Sequence, residues 1–402
     1  MLKLGLVGCG GMGQRHIKGL RKLQEIDQQQ FELVGVCDVM PANVATAAQL
    51  ATDLLGASPT KYTSLEAMRT DRGAPDAIIV ATAPDTHAEI GIEALDHGVH
   101  VMVEKPVALT VRQGLRLVEA ADRNDRKLAV AENYRRDPIN RLARAVIESG
   151  ALGSIYLIVQ SSSGSGEKVI ITPWRHRRSS GGIVVDMGIH YADLLEYFLG
   201  PIVRVFGFNG VIDKQRVDAS GQWHDVDAED LSVGVAQFAS GAIGNWVIDL
   251  AGRGQGHFTR MIYGTGGTLA IPHDRSGKEL EVTLRANGQN TRLSADDVLA
   301  LVPEFRLDDV PAALFGGDRL TSYDLPFADT DANLLAIEQA DFARAIQDDR
   351  PPEVDGAFGL RSLAIAYGFI DAERMGRAVE VEALLAGRDS PYQDEIDAAL
   401  SK

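Results

Sequence analysis

The sequence predicts an α/β N-terminal domain, followed by a C-terminal α+β domain with an open, mostly antiparallel sheet. Over residues 1–131, short apolar runs alternate with amphipathic helical segments, which is typical of a parallel sheet covered by helices on both faces. After residue 131, apolar runs with strand spacing follow one another, which favours antiparallel pairing. We therefore divide the 402 residues into domains 1–131 and 132–402.

The elements of the first domain follow from its hydrophobic pattern. Short apolar runs bounded by turn residues predict strands, and apolar residues at helical spacing predict the helices between them. The predicted strands are 2–7, 31–37, 77–81, 99–103 and 127–131, and clear helical patterns cover 86–96 and 110–122.

The second domain is predicted as a sheet flanked by helices. Its expected helices are 138–148, 185–199, 332–347 and 357–374, and its expected strands are 154–161, 202–211, 231–238, 242–249, 258–264 and 267–271. The acidic stretch 225–230 is expected to be a solvated hairpin. Residues 273–330 show no clear pattern and are expected to elaborate the domain.

Composition excludes some partners. Acidic residues outnumber basic ones by 56 to 40, a net charge of −16, so we expect no nucleic-acid partner. The apolar runs are too short for a membrane span, and a strand beginning at residue 2 leaves no room for a signal peptide. With two cysteines, expected to be packing residues, these features predict a cytoplasmic protein.

The N-terminus carries a glycine loop of the pattern G-x-G-x-x-G. It comprises Gly8, Gly10, Gly11, Met12 and Gly13, follows a strand directly and opens a helix. In that context the glycines allow a tight turn and a close backbone approach to a pyrophosphate, which the helix N-terminus then attracts. The sequence therefore predicts a dinucleotide-binding Rossmann domain.

The acidic residue after the second strand indicates which dinucleotide binds. Asp38 lies near the position where a carboxylate hydrogen-bonds the adenosine ribose and repels a 2′-phosphate. The following residues offer no arginine to receive such a phosphate. We therefore expect NAD rather than NADP, although Asp38 also suits a helix N-cap.

Two further clusters of polar residues lie far apart in the sequence. Glu104 and Lys105 directly follow the strand 99–103, at the sheet edge where ligands of parallel sheets bind. Asp186, His190 and Asp193 are spaced i, i+4, i+7 and share one face of a predicted helix. That face is either a solvated polar stripe or a buried carboxylate–imidazole pair with a function.

Together these motifs resemble the Gfo/Idh/MocA family, the group of glucose–fructose oxidoreductase and inositol dehydrogenase. The resemblance covers essentially the whole chain. Its markers are the glycine loop, the segment 81–87, the triplet 104–106, the segment 132–136, the pair Trp174-Arg175 and the run Gly-Gly-x₃-Asp-x₃-His at 181–190.

The resemblance implies roles for individual residues. Glu104 is expected to contact the nicotinamide-side ribose, and Lys105 both that ribose and the reacting hydroxyl. Asp186 and His190 are expected to hold this hydroxyl, with His190 as proton acceptor, a role worth about 10²–10⁴-fold in rate. The remaining cofactor-binding candidates are Thr82, Pro84 and His87. The remaining substrate-binding candidates are Tyr134, Trp174, Arg175, His176 and Arg178.

The loop before the second glycine run departs from the family pattern because it is strongly basic. His176, Arg177 and Arg178 follow the Trp174-Arg175 pair, and arginine forks suit carboxylates, phosphates or sulfonates. The loop therefore either recognises an anionic substrate, or is a solvated segment or an oligomer contact.

The sequence leaves three functions open. The leading one is hydride transfer between NAD and a secondary hydroxyl of a sugar or cyclitol, with an anionic substrate favoured. The alternatives are a redox-neutral, NAD-dependent glycosidase acting on an anionic glycoside such as a sulfoquinovoside or glucuronide, and a non-catalytic sensor of sugar and NAD. No metal site is expected, and the resemblance implies a homo-oligomer, a dimer or tetramer.

Overall fold

The computed structural model describes residues 1–400, and the chain divides into two compact units. The first unit contains residues 1–136, 307–318 and 325–360. The second contains residues 137–306, 319–324 and those from 361 onward. This division differs from the predicted one, because residues 325–360, which the sequence placed in the C-terminal domain, belong to the first unit.

The secondary structure alternates in the N-terminal third and is rich in strands thereafter. None of the helices within residues 1–400 has the length and apolar composition needed to cross a bilayer. Up to residue 131 the elements are β1 (Leu2–Val7), α1 (Gly11–Glu25), β2 (Phe31–Cys37), α2 (Pro41–Leu55), β3 (Thr60–Tyr62), α3 (Leu65–Thr70), β4 (Ala77–Val80), α4 (Pro84–Asp96), β5 (His100–Glu104), α5 (Val111–Asn124) and β6 (Leu128–Ala131). They are followed by α6 (Pro138–Glu148), β7 (Ile155–Ser165), α7 (Ile183–Leu199), β8 (Ile202–Gly210), β9 (Gln215–Val217), β10 (Trp223–Asp225), β11 (Leu231–Phe238), β12 (Ile243–Gly252), β13 (His257–Gly264), β14 (Gly267–Ala270), β15 (Glu281–Ala286), β16 (Gln289–Arg292), α8 (Ala295–Leu301), α9 (Asp309–Phe315), α10 (Phe327–Gln347), α11 (Gly356–Met375), β17 (Val379–Glu380), α12 (Val381–Leu385) and α13 (Pro391–Leu400).

The first unit is built on a parallel sheet of the order β3-β2-β1-β4-β5-β6. This is the Rossmann arrangement, and it confirms the predicted fold class. The strand order reverses between β1 and β4, which is where sheets of this type bind their ligands. Strand β3 was not predicted because its three residues are polar and largely exposed.

Helix α10 packs against α1 in the first unit, although the two are far apart in sequence. Gly19 allows the close approach, since a methyl group there would lie 3.0 Å from the Leu335 side chain. The contact continues through polar groups, with Lys22 hydrogen-bonded to Asp329 at 2.9 Å. This packing explains why the segment around α10 belongs to the first unit.

The second unit contains a nine-stranded sheet of the order β16-β15-β14-β13-β7-β12-β11-β8-β17. Only β12 and β7 pair in parallel, so the predicted mostly antiparallel sheet is confirmed. The unassigned stretch 273–330 supplies the β15–β16 hairpin and the short helices α8 and α9.

The two faces of this sheet differ. On one face α7 lies so close that a methyl group at Gly188 would be 2.4 Å from the Trp246 ring, and Phe369 of α11 stacks on that ring at 4.4 Å. The other face exposes apolar side chains, of which Phe208 and Val233 are directly paired. The exposed apolar residues on these strands are Tyr156, Phe208, Val233, Val235 and Ile243.

The expectation of a solvated acidic hairpin at 225–230 is wrong. Asp230 is buried and accepts a hydrogen bond of 2.9 Å from the buried Arg216. Glu229 is also buried and accepts one of 2.7 Å from the Tyr392 hydroxyl. Sequence pattern could not show this, because the basic and phenolic partners come from separate segments of the second unit.

Candidate active site

The glycine loop has the geometry that a bound pyrophosphate requires. Gly8 has φ of 94°, and a methyl group there would lie 2.5 Å from the Ala81 carbonyl. A methyl group at Gly13 would lie 2.0 Å from the Gly8 oxygen, whereas one at Gly10 would meet no protein atom within 4 Å. Gly8 and Gly13 therefore permit the turn, and Gly10 borders open space beside the N-terminus of α1.

Asp38 is held against this loop by hydrogen bonds to both carboxylate oxygens. One oxygen accepts from the backbone N–H of Cys9 at 2.8 Å, and the other from that of Met40 at 2.8 Å. Asn43 also donates to the carboxylate, at 3.2 Å. Asp38 is thus fixed beside the glycine loop, in a position that suits contact with a ribose diol. These features fit NAD.

The predicted cofactor residues of the β4–α4 turn are tied to the segment that carries Lys105. Pro84 begins α4, and Thr82 accepts a hydrogen bond from Thr86 at 2.7 Å. His87 is buried, with Nδ1 2.7 Å from the Pro106 carbonyl and Nε2 3.2 Å from the Thr82 carbonyl. Burial lowers the pKa of His87, so the ring is neutral, carries one N–H and donates to only one of these two carbonyl oxygens at a time.

Glu104 and Lys105 lie at the carboxyl end of β5. One Glu104 oxygen lies 2.9 Å from His16 Nε2, and the other accepts from the Lys105 backbone N–H at 3.2 Å. Burial alone would raise the pKa of Glu104, but the hydrogen bond from His16 and the nearby charge of Lys105 bring it below its usual value. Glu104 is therefore a buried, ionised carboxylate.

In the second unit, Asp186 and His190 lie one turn apart near the start of α7, and both are buried. Gly181 and Gly182, with φ of 88° and 86°, make the turn into this helix. Arg175 donates to Asp186 at 2.5 Å and lies over the Trp174 ring at 4.7 Å. The alternative of a solvated stripe is thereby excluded, because this polar face of α7 is buried.

Most cations of the basic loop already have partners within the second unit. His176 is buried, and its Nε2 accepts from the Ile170 N–H at 2.9 Å. Burial and the Arg216 charge lower the pKa of His176 to about 4, so it is neutral. Arg178 pairs with Glu229 at 3.3 Å. Among the basic residues of this loop, Arg177 alone is exposed and forms no ion pair with any residue within 1–400.

The remaining sequence candidate, Tyr134, lies in the first unit. It begins a single helical turn after β6 and is buried, and its backbone N–H donates to Glu132 at 3.0 Å. Its contact with substrate stays a prediction.

Three residues near Glu104 were missed by the sequence analysis. His16 of α1 and Glu338 of α10 lie beside the carboxylate of Glu104 within the first unit, and Gln339 of α10 hydrogen-bonds His16. His16, three residues after Gly13, could have been suspected from its place on the first turns of α1. Nothing in the sequence connects residues 104 and 338.

The fold and the glycine loop define an NAD-binding oxidoreductase with a Rossmann domain and a separate α+β unit. The model of an oxidoreductase family with an NAD-binding Rossmann fold matches residues 2–132, and the GFO/IDH/MocA C-terminal domain matches residues 140–270. The chain belongs to the GFO/IDH/MocA oxidoreductase family.

Individual relatives extend along nearly the whole chain. It is 25% identical over 385 residues to myo-inositol 2-dehydrogenase of Thermotoga maritima, covering 96% of this chain and 100% of that protein. It is 23% identical over 389 residues to D-apiose dehydrogenase of Paraburkholderia graminis, covering 95% and 90%. A levoglucosan dehydrogenase solved with NADH and L-sorbose has a TM-score of 0.76 at 22% identity, covering 94% of this chain and 98% of that one.

Proposed function

We propose that this protein is a dehydrogenase that transfers a hydride between NAD and a secondary hydroxyl of a sugar or cyclitol. The observation that carries the proposal is the buried pair Asp186 and His190, one turn apart on α7, with Arg175 on the carboxylate. A buried acid beside a histidine is costly to maintain and suits proton transfer at a hydroxyl. Relatives named as inositol, apiose and levoglucosan dehydrogenases support the substrate class.

Each residue has a proposed task. Gly10, the N-terminus of α1 and Asp38 hold NAD, and Glu104 orients its nicotinamide-side ribose. The nicotinamide ring supplies the site that accepts or donates the hydride. His190 takes the hydroxyl proton in the oxidation, Asp186 orients the imidazole and stabilises its charged form, and the Lys105 ammonium stabilises negative charge developing on the oxygen.

The test is a comparison of NADH formation, by absorbance, across a panel of cyclitols, aldoses and anhydro-sugars. We expect turnover with at least one of them. Lys105→Ala and His190→Ala should each reduce kcat by about 10²–10⁴-fold, and His190→Ala should leave the Kd of NAD unchanged. His257→Ala is the control, because this exposed histidine hydrogen-bonds Ser161 on another strand.

A double variant tests whether Lys105 and His190 serve the same chemical step. If they do, the double variant Lys105→Ala/His190→Ala should be only slightly less active than the less active of the two single variants. Losses that multiply would contradict the shared role.

An anionic substrate is the second candidate, and the exposed Arg177 favours it. Arg177→Ala should then raise KM for a sugar acid about tenfold while leaving KM for the neutral analogue unchanged. Equal changes for both substrates would contradict anion recognition.

The glycosidase alternative predicts release of aglycone from nitrophenyl glycosides with NAD required but not consumed, and the sensor alternative predicts tight sugar binding without either reaction.

We further propose that the protein assembles as a homo-oligomer through the exposed face of its second sheet. Phe208 is 64% exposed and Val235 51% exposed on neighbouring strands. Several large apolar side chains on one surface favour a protein contact over solvent. A second copy of this chain offers the same surface and is the simplest partner.

A further inference from the structure

Glu338 is a buried acid that the proposed function does not use. It lies on α10 with 0% of its surface exposed, and neither carboxylate oxygen has a hydrogen-bond donor among the described residues. One oxygen belongs to a group of atoms from His16, Glu104 and Glu338 that all lie within 4.8 Å of one another. Burying an ionised carboxylate without a hydrogen-bond donor would cost several kcal/mol of folding free energy, so the protonation state of Glu338 needs an explanation.

The hydrogen bonds around His16 fix which ring nitrogen carries the proton. The Gln339 amide nitrogen lies 3.1 Å from His16 Nδ1 and 3.0 Å from the His16 carbonyl oxygen. An amide N–H₂ can only donate, so Nδ1 is an acceptor and the proton is on Nε2. That N–H points at Glu104, 2.9 Å away. The ring therefore has no free lone pair for a metal ion.

The charges facing Glu338 come from several elements. Glu104 of β5, Glu132 after β6 and Asp331 of α10 disfavour a further negative charge, and Arg136 opposes them. Arg136 is itself shared with Asp341 and Glu353, at 3.2 Å and 3.0 Å. Burial, followed by the charge of Glu104, raises the pKa of Glu338 well above its usual value. Two carboxylates that share one buried site do not both ionise.

We propose that Glu338 is a neutral carboxylic acid that donates its proton in a hydrogen bond to Glu104, and so positions the carboxylate that holds the nicotinamide-side ribose. His16 donates to the same carboxylate, so Glu104 stays ionised while its orientation is fixed by two donors from α1 and α10. Glu338 is a positioning residue in this arrangement. The inference rests on the NAD-binding part of the proposed function, and not on the substrate.

Substitution separates a hydrogen-bond donor from a charge. Glu338→Gln keeps an N–H donor of similar shape, so the Kd of NAD should stay within about twofold of the unchanged protein. Glu338→Leu removes the donor and should raise the Kd about tenfold, as expected for losing a hydrogen bond to a charged group. Asp371→Asn is the matched control, since Asp371 is a buried acid of the second unit, and it should leave the Kd unchanged.

The pH profile gives a second reading. The native state retains the Glu338 proton at pH values where the unfolded chain has released it, so the contribution of Glu338 to the unfolding free energy falls as pH rises above about 4.3. Glu338→Gln removes this contribution, and the stability of the variant relative to the unchanged protein should increase with pH. This comparison is made without NAD or substrate, so it stands whether or not the dehydrogenase reaction is found.

An infrared difference spectrum between the unchanged protein and Glu338→Gln at neutral pH reports the proton directly. We expect a difference band at the carbonyl stretch of a protonated carboxyl group, present in the unchanged protein and lost in Glu338→Gln, whereas bands of other protonated acids such as Asp371 cancel. Its absence would overturn the proposal. So would a Glu338→Gln variant as impaired as Glu338→Leu, or NAD affinity that a chelator lowers and a divalent cation restores, because these would indicate an ionised Glu338 or a metal site.

Discussion

At the residue scale, the surroundings of each side chain decide its chemistry. His176 and His190 are both buried in the second unit, yet the ring of His176 accepts a backbone hydrogen bond inside its own loop. Arg175 and Arg178 lie in the same basic loop, but Arg175 pairs with Asp186 and Arg178 pairs with Glu229. Residue type alone suggested four cations at the substrate, and the structure leaves Arg177 as the exposed one.

Asp38 provides a residue-scale prediction about cofactor choice. Asp38→Ser removes the carboxylate that suits a ribose diol and repels a 2′-phosphate, so the ratio of NADP to NAD affinity should rise about tenfold. Fluorescence titration with each dinucleotide measures this ratio. Asp53→Asn, an exposed acid of α2 bonded to Gln49, should leave it unchanged. An unaltered ratio in Asp38→Ser would remove Asp38 from cofactor selection.

At the scale of elements, tight contacts between helices and strands depend on glycine at defined positions. The glycine loop joins β1 to α1, Gly19 lets α10 approach α1, and Gly188 lets α7 lie on the second sheet. In each case a side chain would separate two elements, of which at least one carries candidate site residues. The same elements therefore serve both packing and function.

The glycine loop separates these two roles experimentally. Gly13→Ala places a methyl group 2.0 Å from the Gly8 oxygen and should cost about 1–3 kcal/mol of unfolding free energy, measured in urea. Gly10→Ala meets no protein atom and should retain stability while weakening NAD binding at least tenfold. Equal NAD affinity in Gly10→Ala would show that the pyrophosphate does not approach this residue.

Helix α11 carries a pH-dependent contact with the start of α13. Asp371 accepts a hydrogen bond of 2.8 Å from the Tyr392 N–H, and burial raises the pKa of Asp371 to about 7. Because the native state holds this proton longer than the unfolded chain does, stability falls as pH rises from about 4 toward 7. Asp371→Asn should be about 1–3 kcal/mol more stable than the unchanged protein at pH 8, with a smaller difference at pH 5. Urea titrations at the two pH values test the sign.

At the scale of the whole molecule, the chain crosses between its two compact units more than once. Residues 325–360 return to the first unit after the second sheet is complete. Within the first unit this return brings α10 to α1, and with it Glu338 to Glu104. Removing the C-terminal part at the predicted domain boundary would therefore also expose the core of the Rossmann unit.

The proposed oligomer gives a prediction at this scale. We expect an assembly heavier than the 43.3 kDa chain by light scattering, and Phe208→Lys should dissociate it by placing a charge in the apolar surface. Phe327→Lys is the control, because Phe327 is exposed to a similar extent, 61% against 64%, but lies in the first unit. A monomer before substitution, or an assembly that survives Phe208→Lys, would contradict the proposed surface.

The sequence by itself determined the Rossmann sheet, the glycine loop and the spacing of Asp186 and His190. Each of these depends on residues that are close together in sequence, through the hydrophobic period, the turn residues and the helical repeat. Only the tertiary structure decided which acids are buried and how their charges are met. Glu229, Asp230 and Glu338 look like ordinary surface acids in sequence, and each is buried in the fold. The groups that face them come from distant segments, and that pairing is a property of packing.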